Sequence, residues 1–268
     1  MKTSIPFLFT ADLEEFDLPL EYGHTLPWAT QAAISLQGLE RLQLLLQNLG
    51  IEASFFITAT WAREFPGQVA ALAQLHEIAS HGPSHGIFEA QGYLDARITL
   101  EKISGTTISG FRMPRMAPVN YQLLKLAGYR YDASLNPTCL PGKYNNTREP
   151  RLPFLKEGIA VLPSSVTPVF RIPFFWLSFK NFPAWINWLI ARRLLQNKII
   201  VFYLHPWEFA DIGNIPIPFY IKRPCGFPLV QKLQGFLSRI RPEVDFMSCS
   251  RFVSTRFPDG QNIAWQQN

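Results

Sequence analysis

Charge is scarce in this chain. Only 17% of its 268 residues are Asp, Glu, Lys or Arg, against about 25% in an average globular domain, so its polar surface is thinly spread. Cysteine is scarcer still. Cys139, Cys225 and Cys249 have no close spacing and cannot all pair, so a reduced, cytoplasmic chain is expected rather than a disulfide scaffold. Long apolar runs are absent: the richest stretch, Phe170 to Ile190, is broken by Arg171, Pro173, Lys180, Asn181 and Pro183, which argues against a transmembrane helix. The Met1 to Phe9 stretch has one Lys and a short apolar run that ends in the acidic cluster Asp12, Glu14 and Glu15. It lacks the longer apolar region and small-residue cleavage site of a signal peptide. Basic runs are missing too. Lys+Arg 25 against Asp+Glu 20 leaves +5, no Lys/Arg run exceeds two residues, and no nucleic-acid partner is expected. There is no internal repeat, no low-complexity tract and no obvious linker, so residues 1–268 read as one catalytic-size domain.

What is present is apolar and alternating. With 47% hydrophobic and 14% aromatic residues, disorder, collagen and coiled coil are excluded. Ile5–Ala11, Ala53–Thr58, Glu77–Ser80, Ser109–Pro114, Tyr129–Ser134, Gly158–Pro163 and Lys198–Leu204 read as strands, and Val244–Cys249 is a further candidate. Helices are expected over Gln31–Leu49, ended by Gly50, over Trp61–Leu75, after Pro118 up to Gly128, and over Asn181–Gln196. About seven such units, with no Gly-rich phosphate fingerprint after the first strand, predict an α/β fold built as a closed or nearly closed barrel.

In a β/α barrel the chemistry sits at the C-terminal ends of the strands. Asp12 follows the first strand, His81 the third, with His85 four residues on. Arg112 ends the fourth, Asp132 lies near the end of the fifth, and His205 ends the seventh. Two histidines at this spacing reach one divalent ion if the chain between them turns, with a nearby carboxylate completing the set. They also read as turn histidines after Gly82-Pro83, and the acidic cluster as a solvated, helix-capping loop. Arg112, a charge at an apolar strand end, needs a carboxylate partner: Asp12 across the rim, or Glu101 or Glu149. His205 reads equally as an acid or as a satisfied core histidine. His24 and His76 carry no functional reading.

Taken in order, Thr10–Glu15 (TADLEE), Ala53–Trp61 (ASFFITATW), His76–His85 (HEIASHGPSH), Gly110–Pro114 (GFRMP), Gly128–Ser134 (GYRYDAS) and Tyr203–Glu208 (YLHPWE) resemble the polysaccharide deacetylases of the NodB-homology type, carbohydrate esterase family four. The likeness spans roughly residues 5 to 210 and is greatest to the subgroup linked to exopolysaccharide loci. It implies a distorted (β/α)7 barrel, Asp12 as general base, His81 and His85 as metal ligands, Arg112 as the residue that positions the base, and His205 as general acid. Asp132 would correspond to the carboxylate that tunes the acid. The family's usual first motif has two adjacent aspartates. Leu13 takes the second place here, so the third ligand shifts to Glu14, with Glu15 the other choice. Met113 and Arg115 replace small residues and imply an altered substrate groove.

The implied activity is metal-dependent, most simply zinc-dependent, hydrolysis of an N-acetyl group from an amino sugar in a polysaccharide or its precursor. Three alternatives accompany it. The aromatic stretch Phe170–Leu195, with Trp176, Trp185 and Trp188 before Arg192-Arg193, fits either barrel packing or a face resting on a membrane that presents a lipid-linked amino sugar. A metal-independent amidase of the same fold and a catalytically silent carbohydrate-binding protein are the others. The retained acid, base and histidine pair count against both.

Overall fold

The longest strand grows from the least interrupted apolar run. In the computed structural model, which describes residues 4–258, so that Met1–Thr3 lie outside it, Ile5–Leu13 forms β1. Phe7 through Leu13 are all buried, as in a parallel strand covered on both faces. There follow β2 (Ser54–Ile57), β3 (Glu77–Ser80), β4 (Gly110–Phe111), β5 (Tyr131–Asp132), the hairpin β6–β7 (Cys139–Leu140 and Tyr144–Asn145), β8 (Phe154–Lys156), β9 (Ile159–Val161), β10 (Ile200–Leu204) and β11 (Val244–Phe246). The sheet order is β10-β1-β2-β3-β4-β5-β9-β8, with β11 also on β1. All ladders along it are parallel except β8–β9.

The sheet curls into a half-barrel whose ends almost meet. After β9, the Ser165 N–H donates to the Val201 carbonyl at 2.9 Å, and the Val201 N–H donates to Ser165 Oγ at 2.8 Å. Seven parallel strands thus surround one rim, in agreement with the distorted (β/α)7 barrel. Helices α1 (Trp28–Leu49), α2 (Ala59–Glu64), α3 (Pro66–Leu72), α4 (Gln91–Ser104), α5 (Tyr121–Leu126), α6 (Trp176–Asn181), α7 (Ala184–Leu195), α8 (Phe219–Lys222), α9 (Gly226–Ile240) and α10 (Cys249–Arg256) complete the fold.

Several expected elements are divided, each for a local reason. The helix expected over Trp61–Leu75 is two, because Phe65 (φ −125°, ψ 57°) precedes Pro66, and a residue before proline avoids helical angles. The helix expected over Asn181–Gln196 starts at Ala184, after Pro183, which separates it from the unexpected α6. The Val244 strand stops at Phe246, and Cys249 opens α10. Helices α4 and α9 go beyond the sequence expectation, although α9 buries Leu229, Leu233, Phe236, Leu237 and Ile240 at helical spacing. Among the described residues no helix is long and apolar enough to cross a membrane. Of the three tryptophans in the aromatic stretch, Trp176 lines a cavity, Trp188 packs under the Arg239 guanidinium at 4.0 Å, and Trp185 is exposed.

One close approach fixes the rim to the outer layer. A Cβ placed on Gly38 of α1 would lie 1.8 Å from the Pro206 carbonyl oxygen, within the backbone turn that follows His205. Because the obstacle is backbone, neither side can yield cheaply. Gly38→Ala is expected to destabilise by about 1–3 kcal/mol, read as a lowered thermal midpoint.

Candidate active site

Residue parity on β1 places the first functional groups. Alternate strand residues share a face, so Asp12 and, just past the strand end, Glu14 line the same cavity as His81 and His205. The turn after β3 brings His85 round to His81, their rings 5.7 Å apart. Glu14 Oε2 lies 3.0 Å from His81 Nε2 and 3.1 Å from His85 Nε2. All three side chains are buried, and one ligand atom from each lies within 4.8 Å of the others.

The outer partners settle what this cluster can hold. His81 Nδ1 is 2.8 Å from the Arg112 carbonyl, which only accepts, so Nδ1 carries the proton. The neutral ring then turns the Nε2 lone pair toward Glu14, acceptor against acceptor. His85 repeats the arrangement, with Nδ1 2.7 Å from Asp17 Oδ1. Lone pairs converging on one buried point are satisfied by a cation, or by imidazoles that carry the charge themselves. Without a cation it is the His85 imidazole that takes the charge. Burial opposes charge on His85, but Glu14 and Asp17 outweigh it and raise its pKa to about 9. Burial likewise opposes charge on Glu14, yet His85, the His81 hydrogen bond and His205 hold its carboxyl well below the usual range. Two imidazoles and a carboxylate, with both outer nitrogens fixed by acceptors, are a fitting donor set for a divalent ion such as zinc.

Glu15 is not part of this cluster. Its Oε2 accepts from Thr58 Oγ1 at 2.8 Å and its Oε1 from the His85 backbone N–H at 2.8 Å, so it fastens the ligand loop to the start of α2. Glu14, as the resemblance implied, is the carboxylate facing both histidines.

Across the cavity stand a base candidate and an acid candidate. Arg112, fully buried, bonds Asp12 Oδ1 through NH1, Thr10 Oγ1 through NH2 at 3.0 Å and the Ala133 carbonyl through Nε at 3.0 Å. Its guanidinium lies over the Phe56 ring at 4.1 Å. Of the partners open to it, Arg112 takes Asp12, while Glu101 is held by Arg97 at 3.0 Å. Asp12 Oδ2 is left facing His205 Nε2 at 4.0 Å, too far for a hydrogen bond. His205 Nδ1 meets Glu208 Oε1 at 3.2 Å, and Glu208 Oε2 meets Lys180 Nζ at 3.1 Å. Burial disfavours the His205 cation, but the Glu208 hydrogen bond, Glu14 and Asp12 outweigh it and raise its pKa. Burial would raise the Glu208 carboxyl, but Lys180 and His205 hold it low.

Asp132, expected to tune His205, is elsewhere. It accepts from the Ser134 N–H at 3.0 Å, from Ser134 Oγ and from Tyr121 at 3.4 Å, while Glu208 occupies the place beside the acid. Sequence reading missed Glu208, three residues past His205 in the quoted YLHPWE, and Lys180 behind it; the i, i+3 spacing was the available signal for the first. Asp17 and Trp207 were also missed, the latter donating from Nε1 to Glu14 Oε1 at 3.3 Å. His24 and His76 lie outside the cavity lining.

Asp132 carries a pH prediction. Burial raises its pKa to about 6 against the lowering pull of Ser134 and Arg112. Between its ordinary value near 4 and that value the folded chain binds the extra proton, so this group's contribution to stability declines as pH rises through the window, then levels off. Asp132→Asn removes the titration. The variant's thermal midpoint is expected to gain on wild type from pH 4 to pH 6, and a constant gap would refute the assignment.

Asp12, Glu14, His81, His85 and His205 floor a cavity of about 260 Å³, walled chiefly by apolar and aromatic side chains. The fold itself is shared with solved structures. A protein assigned as a polysaccharide deacetylase from Mycobacterium smegmatis superposes with TM-score 0.67 at 18% identity, over 95% of this chain and 91% of that one. A second so assigned, from Pseudomonas aeruginosa PAO1, gives 0.67 at 18%, over 95% and 92%. The allantoinase PuuE gives 0.66 at 17%, over 95% and 91%. No protein-family model and no curated protein matches the sequence. The polysaccharide deacetylase fold therefore extends over nearly the whole chain, and the chemistry rests on the side chains themselves.

Proposed function

We propose that this protein is a metal-dependent hydrolase that removes an N-acetyl group from an amino sugar. The observation that carries the reading is the convergence, on one buried floor, of the Glu14–His81–His85 cluster with a base held by Arg112 and an acid held by Glu208. Neither a simple binder nor a structural core needs both. Glu14, His81 and His85 would hold a divalent cation, zinc by the donor set, which would supply polarisation of the amide carbonyl and a more acidic water. Arg112 occupies one Asp12 oxygen and leaves Oδ2 to take the proton of the attacking water. His205, protonated, gives its Nε2 proton to the departing nitrogen, which leaves poorly as an anion. Acetate and a free amine result. The Asp12-Leu13-Glu14 spacing supports the subgroup linked to exopolysaccharide loci.

The test is elemental analysis of protein purified without chelator or affinity tag, followed by acetate release from N-acetylated amino sugars. About one divalent ion per chain with release is expected. Turnover that survives complete chelation would move the reading to the metal-independent amidases.

A further inference from the structure

The walls of the cavity, followed around it, are tied to one another in a ring, in part at the mouth and in part behind the lining. On one side the turn Leu18–Tyr22 after β1 places Glu21 between two cations: Oε1 meets Arg115 in the turn after β4, and Oε2 meets Lys143 of the β6–β7 hairpin at 3.1 Å. Arg115 also reaches Asp17 at 2.8 Å. It does so from a left-handed backbone (φ 58°) followed by a second left-handed residue, Met116 (φ 53°). Such positions cost about 1–3 kcal/mol each and persist where surrounding contacts impose them. The hairpin is tied onward, since Thr138 Oγ1 donates to the Arg171 carbonyl at 2.7 Å, in the segment that leads into α6. From α6, Lys180 Nζ and Asn181 Nδ2 bond the Ile221 and Tyr220 carbonyls of α8 at 2.6 and 2.8 Å. Tyr22 packs against the apolar cluster that holds Ile221 of α8, and Tyr22, Tyr220 and Ile221 all line the cavity, which closes the circuit. The ion pairs at the mouth are partly exposed and individually weak, but each records that two walls meet.

We infer that the site is a well entered end-on: it admits one acylated sugar, free or at the end of a chain, and excludes residues inside a polymer. An internal residue needs an open path on both sides of the floor for its neighbours, and the ring leaves none. The volume agrees, since about 260 Å³ lies just below the range of about 300–1,000 Å³ usual for small-ligand sites. The walls agree as well: Trp176, Tyr144, Tyr203 and Tyr220 offer flat faces to a single ring. This inference rests on the amide-hydrolase reading and specifies its substrate class.

The experiment uses N-acetylglucosamine and its linear pentamer as probes, with tandem mass spectrometry to locate each new amine and quenching of Trp176 and Trp207 fluorescence to follow binding. Amines confined to one terminal residue, conversion of the monomer, and monomer and pentamer affinities within about threefold are expected. Amines at internal positions overturn the inference, as does pentamer binding tighter by tenfold or more, about 1.4 kcal/mol, which would mean further ring subsites along a groove. Binding of both probes at equal strength without acetate release leaves the well standing and overturns the hydrolase reading. No binding of either overturns the well.

Discussion

His81→Ala is expected to lose the bound metal and the activity together, from about one ion per chain to almost none, with turnover reduced by about a thousandfold or more. The scale follows from the chemistry. A cation that polarises the carbonyl and acidifies the attacking water contributes several kcal/mol to the transition state, and each 1.4 kcal/mol is roughly tenfold in rate. His81 is the ligand to choose because both its ring nitrogens are committed, one to the Arg112 carbonyl and one toward Glu14. Removing the ring leaves that carbonyl unpaired and Glu14 with one imidazole. Asp12→Ala provides the contrast, since Asp12 lies outside the ligand cluster. It is expected to retain the ion while turnover falls by about a hundred- to ten-thousandfold, the usual worth of a base. Full zinc and full turnover in His81→Ala would sink the assignment, and loss of zinc in Asp12→Ala would merge two roles separated here.

Lys180→Met is expected to produce a large loss of stability. The Lys180 side chain is wholly buried, its ammonium held between Glu208 and the Ile221 carbonyl, beneath the rings of Trp176 and Trp207. Breaking a buried pair by removing one member costs about 3–5 kcal/mol, because the other charge stays desolvated and unpaired. Glu208, held low chiefly by Lys180, then takes up a proton more readily. Its contribution to stability, present above the ordinary carboxyl range and lost as pH falls below it, disappears. His205 in turn loses the charged acceptor that raises its pKa, so the alkaline limb of the activity profile, where the acid deprotonates, shifts to lower pH. Lys180→Met with Glu208→Gln removes both charges and is expected to recover part of the stability without restoring the limb. Unchanged melting and an unchanged profile in Lys180→Met would show the pair to be incidental.

The parts of this architecture that are repetitive were legible in the sequence, and those set by single contacts were not. Short apolar runs separated by helical spacing announce parallel strands, so β1, β3 and β10 stand close to their expected bounds. The rim residues follow from the strand ends, because a barrel directs loop chemistry to one face. Asp132 shows where this logic stops. It sits at a strand end as expected, yet Ser134 and Tyr121 occupy its oxygens, and nothing in the sequence says which carboxylate turns toward His205. The choice between Glu14 and Glu15 was of the same kind, decided by Thr58 and the His85 amide, groups distant in sequence. The hairpin β6–β7 consists of two-residue strands, too short to leave a periodic trace.

The alternation on β1 has a consequence for how this site could arise or be lost. Asp12 and Glu14 serve from positions of equal parity on one stretch of chain, while Glu15, of the opposite parity, only anchors. Adding one residue between Asp12 and Leu13 would preserve every carboxylate and every charge, yet hand the inward position to Leu13 and turn Glu14 to the opposite face. Composition would be nearly untouched and the chemistry gone. The site as proposed depends on spacing as much as on residue type, so this chain with one residue inserted before Leu13 is expected to bind no metal.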